Sequence, residues 1–171
     1  GRIAEVYARA ASELPHLELR GVQMHIGSQL TTIDPFLEAV RKVTPLVAEL
    51  KAAHGIEFFS IGGGIGIIYQ DSLASGHRAW WNHAPEPVAE ERVVPLTVAK
   101  YAEALVPLLK PLGVRILLEP GRFIAGNAGV LPTKVLYEKK GTAKTVKIVD
   151  AGMNDLIRPA LYEGHHDIVP V

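Results

Sequence analysis

Three short apolar runs, each ending in a turn of glycine or polar residues, constrain this 171-residue chain more than any other feature, because amphipathic helical segments separate them. The runs are "LRGVQMHIGS" (19–28), "IEFFSIGGG" (56–64) and "VRILLEP" (114–120). Strand, helix, strand, helix, strand in this order, with strands this apolar, predicts an α/β fold whose parallel strands are covered by helices. Strand periodicity then sorts the side chains. Val22, Met24 and Ile26 share one face and Gln23 and His25 the other; Val114, Ile116 and Leu118 share one face and Arg115, Leu117 and Glu119 the other. In a (β/α) barrel one strand face meets the helices and the other looks inward, which places His25 and Glu119 inward at the carboxyl ends of their strands, where such barrels carry their active sites.

The helices between the strands have their own signals. One is predicted from Asp34 as N-cap and Pro35 as first helical residue, through an apolar face of Leu37, Val40, Val47 and Leu50, to a stop at Gly55. A second covers 96–109, with Pro107 predicted to kink it or end it early. An earlier helix is marked by Ile3, Val6, Tyr7, Ala10 and Leu14, with no capping residue ahead of it. That abrupt start, and the apolar, strand-like "DIVPV" at 167–171, read as an internal piece of a longer chain. Residues 68–95, with Trp80 and Trp81 adjacent, read as an irregular excursion. In "GVLPTKVLYEKKGTAKTVKIVD" (129–150), Val135, Tyr137 and the 146–149 run read as strands joined by a Lys-Gly turn.

Composition narrows the partners. Eighteen basic and 18 acidic side chains balance, leaving no electrostatic reason for nucleic acid or a membrane surface as a partner. The N-terminus lacks a secretory layout and no apolar run is long enough to span a bilayer, so the expected location is the cytoplasm. With no cysteine there is no disulfide framework and no thiolate metal site; no metal is expected.

Several residues are candidates for chemistry, each with a plainer reading beside it. Gly62, Gly63, Gly64 and Gly66 either permit a tight turn or present successive backbone N–H groups to an anion; they form neither a P-loop nor a dinucleotide fingerprint. A histidine such as His25, taken alone, is more often a hydrogen-bonded core residue than a functional one. Glu119 is harder to set aside, since a carboxylate ending an apolar strand is costly unless a cation or donors meet it. Arg122 is one such partner.

Together "GVQMHIGSQ", "SIGGGIGI", "LLEPGRF" and "VDAGMNDLIRPALYEGHH", in this order and at these separations, resemble the diaminopimelate decarboxylases, within the alanine-racemase-like, fold-type III decarboxylases that use pyridoxal 5'-phosphate. The resemblance spans nearly the whole chain outside 68–95. It implies the C-terminal part of a (β/α)8 TIM barrel over 1–128 and the first strands of a C-terminal β domain over 129–171. It implies that His25 stacks on the cofactor ring, that Ser28 and Gly62, Gly63 and Gly64 hold the phosphate, that Glu119 pairs with the pyridine nitrogen, and that Pro120, Gly121 and Arg122 line phosphate and substrate. Arg158 and Tyr162 match substrate-binding positions, Tyr162 also reaching the cofactor; with Arg122, the arginines suit the distal end of meso-diaminopimelate. The implied reaction is decarboxylation of meso-2,6-diaminopimelate to L-lysine, in a homodimer with shared active sites. The family's Schiff-base lysine lies upstream of His25 and its acid cysteine downstream, so this polypeptide alone is expected to be inactive. Ornithine, arginine or carboxynorspermidine as substrate, and a non-catalytic cofactor-binding homologue, remain alternatives.

Overall fold

A computed structural model describes residues 2–69 and 96–170. Most of the 68–95 excursion, both tryptophans included, therefore lies outside the described residues. The chain divides into two compact units. Described residues of the first are 2–67 and 96–126, and those of the second are 68–69 and 127–170.

The first unit is built around a parallel sheet of β1 (Gly21–Gln23), β2 (Phe58–Ser60) and β3 (Arg115–Leu117), in the order β1-β2-β3. Register pairs Gln23 with Ser60 and Ser60 with Leu117. Beyond these strands the ladder continues: Met24 N–H donates to Ser60 O at 2.9 Å, Ile61 N–H to Leu117 O at 3.1 Å and Glu119 N–H to Gly62 O at 2.8 Å. Val22 and Phe59 on one face are buried, with Ile61 continuing that face beyond β2 and Ile116 packed against the same core. Near the amino ends of the strands Glu57 meets Arg20 at 2.7 Å and Arg115 at 3.8 Å. The Arg20 hydrogen bond and charge hold its carboxyl below the usual range.

Helix α1 (Ile3–Glu13) starts without a side-chain cap. Only part of its predicted apolar face is covered: Ala10 is buried and Tyr7 packs on the core, donating its hydroxyl to Gly21 O at 2.6 Å, while Ile3, Val6 and Leu14 are exposed.

Helix α2 (Asp34–His54) buries Phe36, Val40, Val47 and Leu50. The expected cap is corrected: Asp34 is the first helical residue, and Ile33 takes the cap position without a side-chain bond. The Ile33 carbonyl accepts from Phe36 N–H at 3.0 Å and Leu37 N–H at 3.1 Å. Asp34 instead places a negative charge in the first turn, where the helix dipole favours it. The stop at Gly55 is as read, with φ +67°.

Helix α3 (Val98–Leu109) is capped by Thr97, whose hydroxyl accepts from Lys100 N–H at 3.2 Å. Pro107 does not end it early: the helix runs on to Leu109 and adds a 3-10 turn over Lys110–Leu112. Pro107 removes the bond to the Glu103 carbonyl, but both residues are exposed, so water can take it, while Leu105, Leu109 and Leu112 bury one continuous face. The Lys51 ammonium then caps the turn, donating to Leu112 O at 2.8 Å and Gly113 O at 2.9 Å. Tyr101 packs edge-on against Phe36, with ring centroids 5.0 Å apart, locking α3 to α2. A short helix α4 (Gly121–Ala125) follows β3.

In the second unit β4 (Val135–Lys140) and β5 (Thr145–Val149) form an antiparallel hairpin with an irregularity between Val135 and Tyr137. Thr133 Oγ1 and Lys134 N–H both donate to Asp150 Oδ1, at 2.7 and 2.8 Å, closing its open end. These donors, the backbone one foremost, lower the Asp150 carboxyl below its ordinary range. Helix α5 (Arg158–Tyr162) is one turn. The strand-like reading of the last residues is not met: 167–170 are irregular and Ile168 is 93% exposed, because no described strand pairs with them and Pro170 lacks an amide donor. No helix among the described residues is long and apolar enough to cross a membrane.

Candidate cofactor site at the strand ends

The register decides which side chains meet. Gln23, Ser60 and Leu117 are paired neighbours, so their side chains share a sheet face, and Glu119, two residues past Leu117, returns to it. The hydrogen bonds follow. Gln23 Nε2 donates to both Glu119 carboxylate oxygens, at 3.1 and 3.2 Å, and Ser60 Oγ donates to Glu119 Oε1 at 2.6 Å. Ser60 is 3% exposed and also accepts from Gly62 N–H at 3.2 Å, so its hydroxyl links the glycine turn to the carboxylate. Gln23 and Ser60 are thus the residues that orient Glu119, in place of the Arg122 partner considered from sequence. Both donors are neutral. They fix the carboxylate without cancelling its charge, which leaves it able to attract a cation.

The glycine turn closes against the same strand ends. Gly62, Gly63 and Gly64 follow β2 directly, with φ of +73° at Gly62 and +95° at Gly64. A Cβ at Gly62 would lie 2.5 Å from Met24 O and 3.0 Å from His25 Nδ1, so no larger residue fits between turn and strand. Gly63 N–H donates to His25 Nδ1 at 3.4 Å, a long bond. An accepting Nδ1 requires the proton of a neutral ring to sit on Nε2. Among the described residues no hydrogen bond is recorded for the N–H of Gly64, which is half-buried. Leu30 N–H donates to Gly64 O and Gly66 N–H to Leu30 O, both at 2.9 Å, which draws the 25–30 loop onto the turn.

Ser28 is exposed in that loop, next to Gln29. Gln29 reaches Arg122, whose Nη1 donates to Gln29 Oε1 at 3.3 Å. Pro120 takes the cap position of α4, Gly121 opens the helix and Arg122 follows, half-buried. Within the first unit the predicted residues His25, Gly62, Gly63, Gly64 and Glu119 therefore lie on neighbouring strand ends, and Ser28 and Arg122 stand on either side of Gln29.

The remaining predicted residues belong to the second unit. Arg158 is half-buried with its guanidinium carbon 4.7 Å from the centre of the Tyr69 ring, a cation–π contact. Tyr69 also meets His166 edge-on at 6.2 Å. Tyr162, in the same short helix as Arg158, is 69% exposed.

Sequence reading missed Gln23, Ser60 and Gln29 as functional neighbours. Gln23 had a usable signal, since it shares its strand face with His25. Ser60 had a weaker one, as the polar residue of an apolar strand. Gln29 had none, because its partners, Ile67 and Arg122, come from two distant segments.

The sequence profile of the family described as "Pyridoxal-dependent decarboxylase, pyridoxal binding domain" matches residues 3–126. The chain belongs to this family. In the decarboxylase family it resembles diaminopimelate decarboxylase of Vibrio cholerae, with 41% identity over 99% of this chain and 36% of the relative. Diaminopimelate decarboxylase of Aquifex aeolicus is also 41% identical, over 94% of this chain and 34% of the relative. The crystal structure of diaminopimelate decarboxylase from Helicobacter pylori complexed with L-lysine superposes with a TM-score of 0.74 at 36% identity, covering 96% of this chain and 36% of that one. This chain thus spans about a third of the length of the curated relatives it matches, 36% in the Vibrio cholerae case.

Proposed function

We propose that this chain supplies the cofactor-binding core of an enzyme that uses pyridoxal 5'-phosphate to decarboxylate meso-2,6-diaminopimelate to L-lysine. The observation that carries this is the carboxylate of Glu119, held by Gln23 and Ser60 beside a glycine turn too tight for any Cβ at Gly62. These residues fit the cofactor: a carboxylate with its charge intact suits a protonated pyridine nitrogen, and the uncommitted Gly64 N–H suits a phosphate oxygen.

When bound, the cofactor supplies an electron sink for the pair left at Cα as carbon dioxide departs. Glu119 keeps the proton on the ring nitrogen, favouring the form that accepts those electrons. His25 would stack against the ring. Ser28 and Gly64 would hold the phosphate, with Gly62 and Gly63 shaping the glycine turn, Gly121 lining the phosphate and Pro120 shaping the turn between Glu119 and Gly121. Arg122 and Arg158 bind carboxylate, for which a planar guanidinium offers paired donors; Tyr162 contacts substrate and cofactor. A substrate with a second carboxylate, absent from ornithine or lysine, gives a reason for additional arginines.

The finer architecture belongs to the same proposal. Residues 1–128 are the later βα units of a (β/α)8 barrel and 129–171 the start of a C-terminal β domain. Parallel strands hydrogen-bonded in strict chain order support the barrel, since doubly wound sheets reverse direction at a switch point. We also propose a cytoplasmic homodimer.

The test is carbon dioxide release by the complete protein from meso-diaminopimelate, with L-lysine and ornithine run beside it. Release from meso-diaminopimelate alone, lost in Arg158→Ala while the cofactor still binds, is the expected result. Cofactor binding with no release from any of these substrates would refute it and favour a non-catalytic homologue.

A further inference from the structure

Gln29 has an unusual backbone and an unusually full set of partners. Among the described residues its φ of +63° is one of two positive values at non-glycine positions. A side chain with a Cβ is strained in such a conformation, which persists where surrounding contacts hold it. Those contacts are all made by one amide. Its Nε2 donates to Ile67 O, and its Oε1 accepts from Ile67 N–H at 3.3 Å and from Arg122 Nη1 at 3.3 Å. A guanidinium has donors only, so the amide oxygen must face it. The Ile67 N–H needs the same oxygen and the Ile67 carbonyl needs the NH2, so three partners agree on one orientation.

Ile67 is itself buried and lies under the end of α4, where a Cβ at Gly126 would collide with the Ile67 side chain. Gln29 therefore holds both the Arg122 head group and the segment on which the Arg122 helix rests. On its other side Leu30 is bridged to Ile65, beside Gly64. One side chain ties together the loop carrying Ser28, the end of the glycine turn and the arginine.

We propose that Gln29 is a positioning residue that sets the Arg122 guanidinium for a carboxylate of the bound amino acid. This rests on the reading of Arg122 as a carboxylate ligand. Because the amide oxygen is neutral, its contact orients the guanidinium without adding an opposing charge of its own. A carboxylate at position 29 would compete for the guanidinium charge instead.

The experiment uses the complete protein loaded with pyridoxal phosphate and compares Gln29→Glu with wild type. L-lysine keeps one carboxylate of the proposed substrate, and cadaverine keeps none, so equilibrium binding of each separates carboxylate recognition from general damage. Thermal midpoint and cofactor absorbance are recorded for every variant. With occupancy normalised to bound cofactor, Gln29→Glu is expected to weaken L-lysine about tenfold more than cadaverine, the scale of one charge-assisted contact. The KM for meso-diaminopimelate should rise in parallel while kcat changes less. Unchanged L-lysine binding, or equal losses for lysine and cadaverine, overturns the proposal. If Gln29→Glu does not fold, Gln29→Met, of similar length but without the amide, decides it by the same lysine-to-cadaverine ratio. A wild-type protein that binds neither lysine nor meso-diaminopimelate overturns the underlying reading too, whereas an active wild type with an indifferent Gln29→Glu overturns the positioning role alone.

Discussion

Gly55 and Gly62 have nearly the same backbone, with φ of +67° and +73°, but different surroundings. Gly55 ends α2 in open space, with nothing within 4 Å of where a Cβ would stand. At Gly62 the same atom meets Met24 O at 2.5 Å, His25 Nδ1 at 3.0 Å and His25 Cα at 3.2 Å. Substituting alanine at either site imposes the left-handed penalty, about 1 kcal/mol, and removes the same freedom from the unfolded chain. Those contributions nearly cancel between the two variants. What remains is the collision at Gly62. Met24 cannot easily retreat, because its own N–H is bonded to Ser60 O at 2.9 Å, so a forced separation of turn and strand should cost about 1–3 kcal/mol more, the range for overpacked interiors. Gly55→Ala is expected to lose about 1 kcal/mol and Gly62→Ala about 2–4 kcal/mol. Equilibrium urea unfolding of both variants and wild type, with similar m-values, measures the difference. If Gly62→Ala costs no more than Gly55→Ala, the close packing of glycine turn on strand end is refuted.

Leu50, a fully buried residue of α2 within the core, should cost about 2–5 kcal/mol when cut to alanine, as a cavity the surroundings cannot close; urea midpoints check it. Burial pushes the Tyr101 hydroxyl up to about 12 from 10.0. The folded state thus holds its proton longer than the unfolded chain, so this contribution to stability is intact below pH 10 and is lost as pH rises from about 10 towards 12. In Tyr101→Phe, thermal melts across that window should show a shallower decline than wild type. Ser60→Ala strips Glu119 of its shortest bond and leaves Gly62 N–H without its recorded partner, a loss of about 1–3 kcal/mol; a melt within error of wild type would contradict that.

The parts of this fold legible in the sequence are those governed by local periodicity. Strand alternation placed Val22 inward to the helices and Glu119 on the opposite face, and Gly55 announced the end of α2. What failed was local chemistry overruled by packing. Pro107 read as a breaker, yet its lost bond lies on a wet surface while Leu109 and Leu112 carry the helix forward. Asp34 read as a cap, yet the backbone of Ile33 serves. The glycine turn was visible as glycines, but not that Gly62 and Gly63 spend their N–H groups on Ser60 and His25. Contacts such as Gln29 with Arg122 join residues 93 positions apart, and no short-range pattern encodes them.

The carboxylate of "LLEPGRF" takes its direction from a serine 59 positions earlier in the chain and a glutamine 96 positions earlier. That motif is therefore not portable. Grafted onto the third strand of another parallel sheet, it would bring the acid and the arginine but leave the acid free to rotate into solvent, unless a serine and a glutamine were written into the two preceding strands at matching register. An engineer moving this chemistry to a new scaffold must copy a row across three strands, not a loop.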